Sequence, residues 1–247
     1  MTKKIALLFV MAATLAAAGQ DAHPHWSYDG ATGPAYWGDL ESDFATCKTG
    51  VRQSPIDIRT ATVKADLPAI QFDYKPSAYK IIDNGHTIQI SYPAGSFIHV
   101  GDKTYQLVQF HFHHPSEELI HGKPSAMVIH LVHSDTYGNL AVVAVLVRSG
   151  ASNPLLKTLF EHLPEEKSKA EQVNAVIDLT QLLPQDRAYY TFPGSLTIPP
   201  CSENVTWFVL KNKLDASTAE LDAFSKLYSH NARPVQPLNG RVVLQSR

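Results

Sequence analysis

The chain has no apolar run long enough to cross a membrane. Its longest, residues 5–17, falls short of the roughly 20 residues a helical span requires and has no basic stop-transfer flank. Charge of either sign is not in excess. With 21 Lys and Arg against 23 Asp and Glu the formal net charge is −2, which offers nothing to nucleic acid or an anionic membrane surface. No Ser/Gly linker, block of like charge or internal repeat divides the sequence, so its 247 residues suit one large domain after a short leader. Cysteine is scarce, Cys47 and Cys201 being the only two, and helix signals are few.

The leader has the form of an export signal. Lys3 and Lys4 precede the apolar stretch, and Ala16-Ala17-Ala18 supplies the small-residue cleavage pattern. Cleavage is expected after Ala18, with a cut near Ala22 as the alternative. The expected organisation is a signal peptide over 1–18 and a single domain over 19–247, exported to the periplasm or secreted. Removing Lys3 and Lys4 takes the formal charge from −2 to −4 and leaves no membrane span. In an oxidising compartment two lone cysteines read as one disulfide, Cys47–Cys201, rather than two free thiols.

Short β-branched and aromatic runs separated by turn residues dominate the rest. Residues 80–82, 87–92, 97–100, 105–113, 126–132, 140–147 and 205–210 read as strands. Asn84-Gly85, Gly101-Asp102, Gly122 with Pro124, and Gly138-Asn139 punctuate them. Asn153-Pro154 opens a short helix that buries Leu155, Leu156, Leu159 and Phe160. Ser217 and Glu220 form a capping box ahead of Leu221, Phe224, Leu227 and Tyr228. The fold class is mainly β (α+β), a mostly antiparallel sheet with short peripheral helices.

The densest chemistry lies in QFHFHHPSE at residues 109–117 and MVIHLVH at 127–133. Alternate side chains of a strand share a face, so His111 and His113 point one way beside Gln109, while Phe110 and Phe112 point the other. A hairpin centred between His121 and Gly122 would set His130 directly across from His113. Three neutral imidazoles with one position open is the arrangement of catalytic zinc. Gln109, one step before His111 on the same face, can accept its free ring N–H.

With those residues in view the chain resembles an α-class carbonic anhydrase of the bacterial, exported type. The match runs through HWSY at 25–28, Gly33-Pro34, Trp37, RQSPID at 52–57 and NGH at 84–86. It continues through the histidine block, GSLTIPP at 194–200, VTW at 205–207 and NARPVQP at 231–237, which covers nearly the whole mature chain. The resemblance implies a central twisted sheet with Zn2+ at the bottom of a conical cleft, and cis bonds at Ser54-Pro55 and Pro199-Pro200. It implies reversible hydration of CO2 to bicarbonate by a zinc-held hydroxide on His111, His113 and His130. Glu117 and Thr197 match the pair that orients the nucleophile, and the Thr197 N–H matches the donor to the developing anion. A backbone carbonyl near Asn231 would serve the second ligand. Val132, Val142, Leu196, Val205 and Trp207 match the wall where CO2 rests. His86 matches the proton shuttle, with Tyr28, Asn84 and Gln89 on the water path. Inorganic anions and sulfonamides are the implied inhibitors, and a monomer or homodimer the implied assembly.

Three departures fall together. Relatives usually carry Glu two residues before the third ligand and a His just after the position of Glu117. Here those places hold Val128 and Glu118, and Phe192 stands where a Tyr is common. The expectation is that Glu118 replaces the lost acceptor and bonds the free nitrogen of His130. The alternative is a solvated Glu118 with His130 bonding water. Ile198 replaces a second Thr common among relatives, which should slow proton export and alter anion inhibition. His114 and His133 are expected on the faces opposite the ligands, in structural roles. The sequon at Asn204 overlaps a pocket strand and reads as accidental. Two rival readings are weaker. A cupin needs a Gly/Pro-rich turn before its last His, and residues 126–129 offer none. A non-catalytic binding module of the same fold would lack ligands that are present here.

Overall fold

The computed structural model describes residues 26–59 and 63–247, so the expected signal peptide lies outside the described residues. The order of the main sheet follows from which segments can be buried on both faces. Met127–Ser134 and Leu140–Ser149, the most continuously apolar segments, occupy its centre. Lys103–His113 pairs with the first of these and Glu203–Leu210 with the second. Ile88–Ser91, Ser77–Asp83 and Glu171–Ile177 extend one side; Tyr189–Ser195, Leu244–Gln245 and Val63–Lys64 extend the other. Among the described residues this sheet has 13 strands. Pairing is antiparallel except where Leu140–Ser149 meets Glu203–Leu210 and Leu214–Ala216, and where Leu244–Gln245 meets Val63–Lys64. No helix among the described residues is long and apolar enough to cross a membrane.

Two apolar layers flank the sheet. Met127, Ile129 and Leu131 join Phe110, Phe112, Val143 and Val145 in the larger core. Val128 and Val132 face the other way with Val142, Ala144, Val205 and Trp207. A bulge decides which layer the histidines meet. Before it Tyr105 and Leu107 enter the larger core; after it Phe110 and Phe112 do. The register shift between Leu107 and Gln109 leaves Val108 as the extra residue. One inserted residue exchanges the faces of everything beyond it, which turns Gln109, His111 and His113 away from the core.

The expected helices form at Pro154–Phe160 and Thr218–Ser225, with Asn153 and Ser217 as side-chain caps and Glu220 completing the capping box. The second helix stops earlier than its apolar pattern suggested, leaving Leu227 exposed. Sequence reasoning did not find the strands Glu171–Ile177 and Tyr189–Ser195. The first is an exposed edge strand, and the second contains Pro193-Gly194, which reads as a turn. Gly194 is there for close approach: a Cβ would lie 2.2 Å from Ser54 Oγ and 2.6 Å from the Trp207 ring. Cis bonds occur at Ser54-Pro55 and Pro199-Pro200, and also at His114-Pro115.

Cys47 and Cys201 form a disulfide across 154 residues of sequence, packed with Trp37 and Phe44. In the chain-entropy model a loop of that length corresponds to roughly 5 kcal/mol, an upper figure. Thiol titration of the denatured, unreduced protein is expected to find no free thiol; two free thiols would contradict the bridge.

Candidate metal centre

The hairpin register differs from the sequence expectation. His130 lies across from His111, and Val128 across from His113. The turn at His121-Gly122 exists, with both residues at positive φ, but it pairs Ile120 with Lys123 rather than the long strands. After His113 the chain leaves the sheet, runs Leu119–Ile120 parallel to Asp57–Ile58, and returns only at Met127. The resulting offset is two residues, so His130 keeps its face and still meets the other two.

One ligand atom from each of His111, His113 and His130 lies within 4.8 Å of the others. The ring centroids stand 5.0 Å apart for His111 and His113, 5.4 Å for His111 and His130, and 4.7 Å for His113 and His130. Each imidazole gives its other nitrogen to an acceptor. His111 Nδ1 donates to Gln109 Oε1 at 2.9 Å, and His113 Nδ1 to the Asn231 carbonyl at 2.7 Å. His130 Nε2 lies 3.0 and 3.3 Å from the two oxygens of Glu118. That leaves Nε2 of His111, Nε2 of His113 and Nδ1 of His130 facing one another. His113 Nε2 is buried without a hydrogen-bond partner, which is costly for a polar atom unless a ligand is bound there. The donor set fits a tetrahedral zinc ion with one position open.

Electrostatics favour the ligand form of two rings. Burial, then the neighbouring His130 charge, lowers His111 to about 3. Burial and the other two rings hold His113 well below the usual range, against the opposing Asn231 carbonyl. Burial lowers His130 too, but the Glu118 charge and hydrogen bond, then the Glu117 charge, leave it raised. A metal binds neutral imidazole, so rings that stay unprotonated need no proton removed first.

Glu117 lies fully inside, where burial and the Glu118 charge push it up to about 7; His130, the Thr197 hydroxyl and the Arg233 N–H oppose the shift. The Arg233 N–H donates to Glu117 Oε1 at 2.8 Å. Arg233 went unassigned in the sequence, yet it is buried and binds Gln53, Ser54 and Cys47 through its guanidinium. Thr197 is buried beside half-buried Leu196 and Ile198 on a segment held by reciprocal Ser54–Ser195 hydrogen bonds of 2.9 and 3.1 Å.

Val132, Val142, Val205 and Trp207 form one cluster, with Leu196 packed against it. The Trp207 ring meets His130 edge-on at 5.0 Å, and Phe192 stacks parallel to Trp207 at 6.2 Å. The wall therefore adjoins the imidazoles, though it is continuous with core beneath. Gln89 lies opposite His111 in the sheet register. His86 is half-buried and stacks on Trp26 at 3.6 Å with the rings 7° apart. Asn84 Oδ1 caps its turn, accepting the N–H groups of His86 and Thr87. Tyr28 packs against Trp26 and Trp37, and burial followed by the Glu117 charge raises its pKa well above the usual value. His133 is turned to the larger core and pairs with the Tyr74 hydroxyl at 2.8 Å, while His114 bonds the Ser229 carbonyl.

Fold and site together define a protein built to hold one metal ion on three imidazoles beside an apolar wall. A family model described as eukaryotic-type carbonic anhydrase matches residues 32–247. A carbonic anhydrase of Klebsiella pneumoniae is 46% identical over 224 residues, covering 90% of this chain and 91% of the relative. One of Neisseria gonorrhoeae is 43% identical over 242 residues, covering 97% and 95%. The solved α-carbonic anhydrase of Thermovibrio ammonificans, in complex with the inhibitor sulfanilamide, has a TM-score of 0.87 at 43% identity, covering 89% of this chain and 98% of that one. The chain belongs to the α-class, eukaryotic-type carbonic anhydrase family.

Proposed function

We propose that the protein reversibly hydrates CO2 to bicarbonate and a proton, using zinc held by His111, His113 and His130. The observation that carries this is the set of three facing imidazole nitrogens, each ring already anchored behind by its own acceptor. Bound zinc would lower the pKa of a water in the open position from about 15.7 to about 7, a figure established on carbonic anhydrase itself.

The chain's own residues do the rest. An ionised Glu117 accepts the Thr197 hydroxyl hydrogen, which obliges that oxygen to offer a lone pair to the attacking oxygen and aligns it on CO2. The Arg233 N–H at 2.8 Å favours the ionised carboxylate. The Thr197 N–H receives the negative charge that develops on the CO2 oxygen. Val132, Val142, Leu196, Val205 and Trp207 keep water from that side and hold an apolar substrate. Ile198 adds no hydroxyl there. His86 takes the released proton outward along a water path lined by Tyr28, Asn84 and Gln89. The relative solved in complex with the inhibitor sulfanilamide supports sulfonamides as inhibitors here too.

The leader supports export to the periplasm or outside the cell. Stopped-flow hydration of CO2 by the mature protein is expected to be fast and blocked by a sulfonamide; no rate above buffer would overturn the proposal.

His86→Ala is expected to lower kcat in weak buffer while leaving kcat/KM nearly unchanged, and imidazole buffer should restore it. General acid–base assistance of this kind is worth about 10²–10⁴-fold. If added buffer made no difference, His86 would not be the shuttle.

A further inference from the structure

The turn that carries His86 is tied to the rest of the molecule by more than its own hydrogen bonds. Asp83, the last residue of the Ser77–Asp83 strand, is buried at 4% exposure. Its Oδ1 accepts the Gly85 N–H at 2.9 Å and also the hydroxyl of Tyr228. The first bond is local and would close the turn alone. The second comes from 145 residues away in sequence. Tyr228 follows the Thr218–Ser225 helix, and its N–H bonds the Phe224 carbonyl at 3.0 Å. Its ring lies on Phe224, which packs at 5.6 Å against Phe112, the residue between two ligands.

A series of tilted aromatic contacts therefore leads from beneath the histidine strand to the carboxylate that starts the shuttle turn. On the other side Asn231 Nδ2 donates to the His86 carbonyl at 3.0 Å, while its own carbonyl serves His113. The turn is referenced to the metal centre from both ends.

We propose that Tyr228 and Asp83 are positioning residues for proton export, holding the His86 turn at a fixed place relative to the three imidazoles. This rests on the reading of His86 as the proton shuttle. Proton transfer through water depends steeply on the separation of donor and acceptor, and a misplacement of about 1 Å can cost up to about 10²-fold. Without the hydroxyl, the buried carboxylate keeps one short-range donor and the turn loses one of its two ties to the metal centre.

The test uses zinc-loaded mature protein as wild type, Tyr228→Phe, Asp83→Ala, His86→Ala and the double variant His86→Ala/Tyr228→Phe. Melting curves confirm that each is folded. Tyr228→Phe is expected to lower kcat in weak buffer about tenfold, with kcat/KM changed less than about twofold and imidazole restoring kcat. In the His86→Ala background it should add nothing. Asp83→Ala should behave like Tyr228→Phe, so the proposal stays testable if one variant fails to fold. A normal kcat for Tyr228→Phe beside a slow, rescuable His86→Ala would overturn the positioning role and leave the shuttle standing. An equal loss in the His86→Ala background would show that Tyr228 acts elsewhere, which also overturns it. If His86→Ala itself is fully active, the shuttle reading falls and this proposal falls with it.

Discussion

Replacing His111, His113 or His130 by alanine is expected to remove zinc and CO2 hydration together. A metal on three imidazoles loses a third of its protein ligands with each change, and none of the neighbours supplies a replacement. Glu118 is held behind His130 at its outward nitrogen, and Glu117 lies 3.5 Å from the outward nitrogen of His113 and 3.9 Å from His130 Nδ1, with the Arg233 N–H holding one of its oxygens. The three variants should be equivalent, because each ring has its own rear acceptor and contributes one inward nitrogen. Metal content by atomic absorption, measured beside activity, checks this. Full activity in any metal-free variant would be incompatible with the account.

The second large effect concerns Glu118. Its carboxylate is completely buried and sits 3.0 Å from His130 Nε2. Val128, on the strand opposite His113, is equally buried and offers no acceptor. We propose that Glu118 orients His130 and increases its basicity, the job that relatives give to a strand carboxylate at the position of Val128. Losing such a rear partner typically costs about 10–100-fold in metal affinity. Glu118→Ala should therefore release zinc to a chelator faster than wild type by a factor in that range, and Glu118→Ala/Val128→Glu should recover part of the difference. Release at the wild-type rate would discard the idea. The readout is metal retention and does not depend on turnover.

The convergence of His111, His113 and His130 on one face followed from strand alternation. Their register did not, since the excursion through 114–126 cannot be measured from turn residues alone. Local signals were the most legible. Asn153 with Pro154 and Ser217 with Glu220 cap the helices they appeared to cap. The apolar pattern also held a clue to the bulge, passing from Tyr105 and Leu107 to Phe110 and Phe112. Long-range polar partners left no trace. Arg233 reaching Gln53 and Tyr228 reaching Asp83 join residues 180 and 145 apart, and nothing in either neighbourhood names the other. Edge strands such as Glu171–Ile177 were missed because solvent, rather than a second layer, covers much of them, so hydrophobic alternation has nothing to record.

The central claim is that metal held by the three histidines produces the activity. Mature protein should be dialysed against a zinc chelator, then titrated with zinc while bound metal and stopped-flow CO2 hydration are followed together. The account predicts that the rate falls to background without metal and returns in proportion to zinc, saturating at one ion per chain, with a pH dependence rising through a pKa near 7. Undiminished hydration by the metal-free protein, or zinc binding that restores no rate, would contradict it.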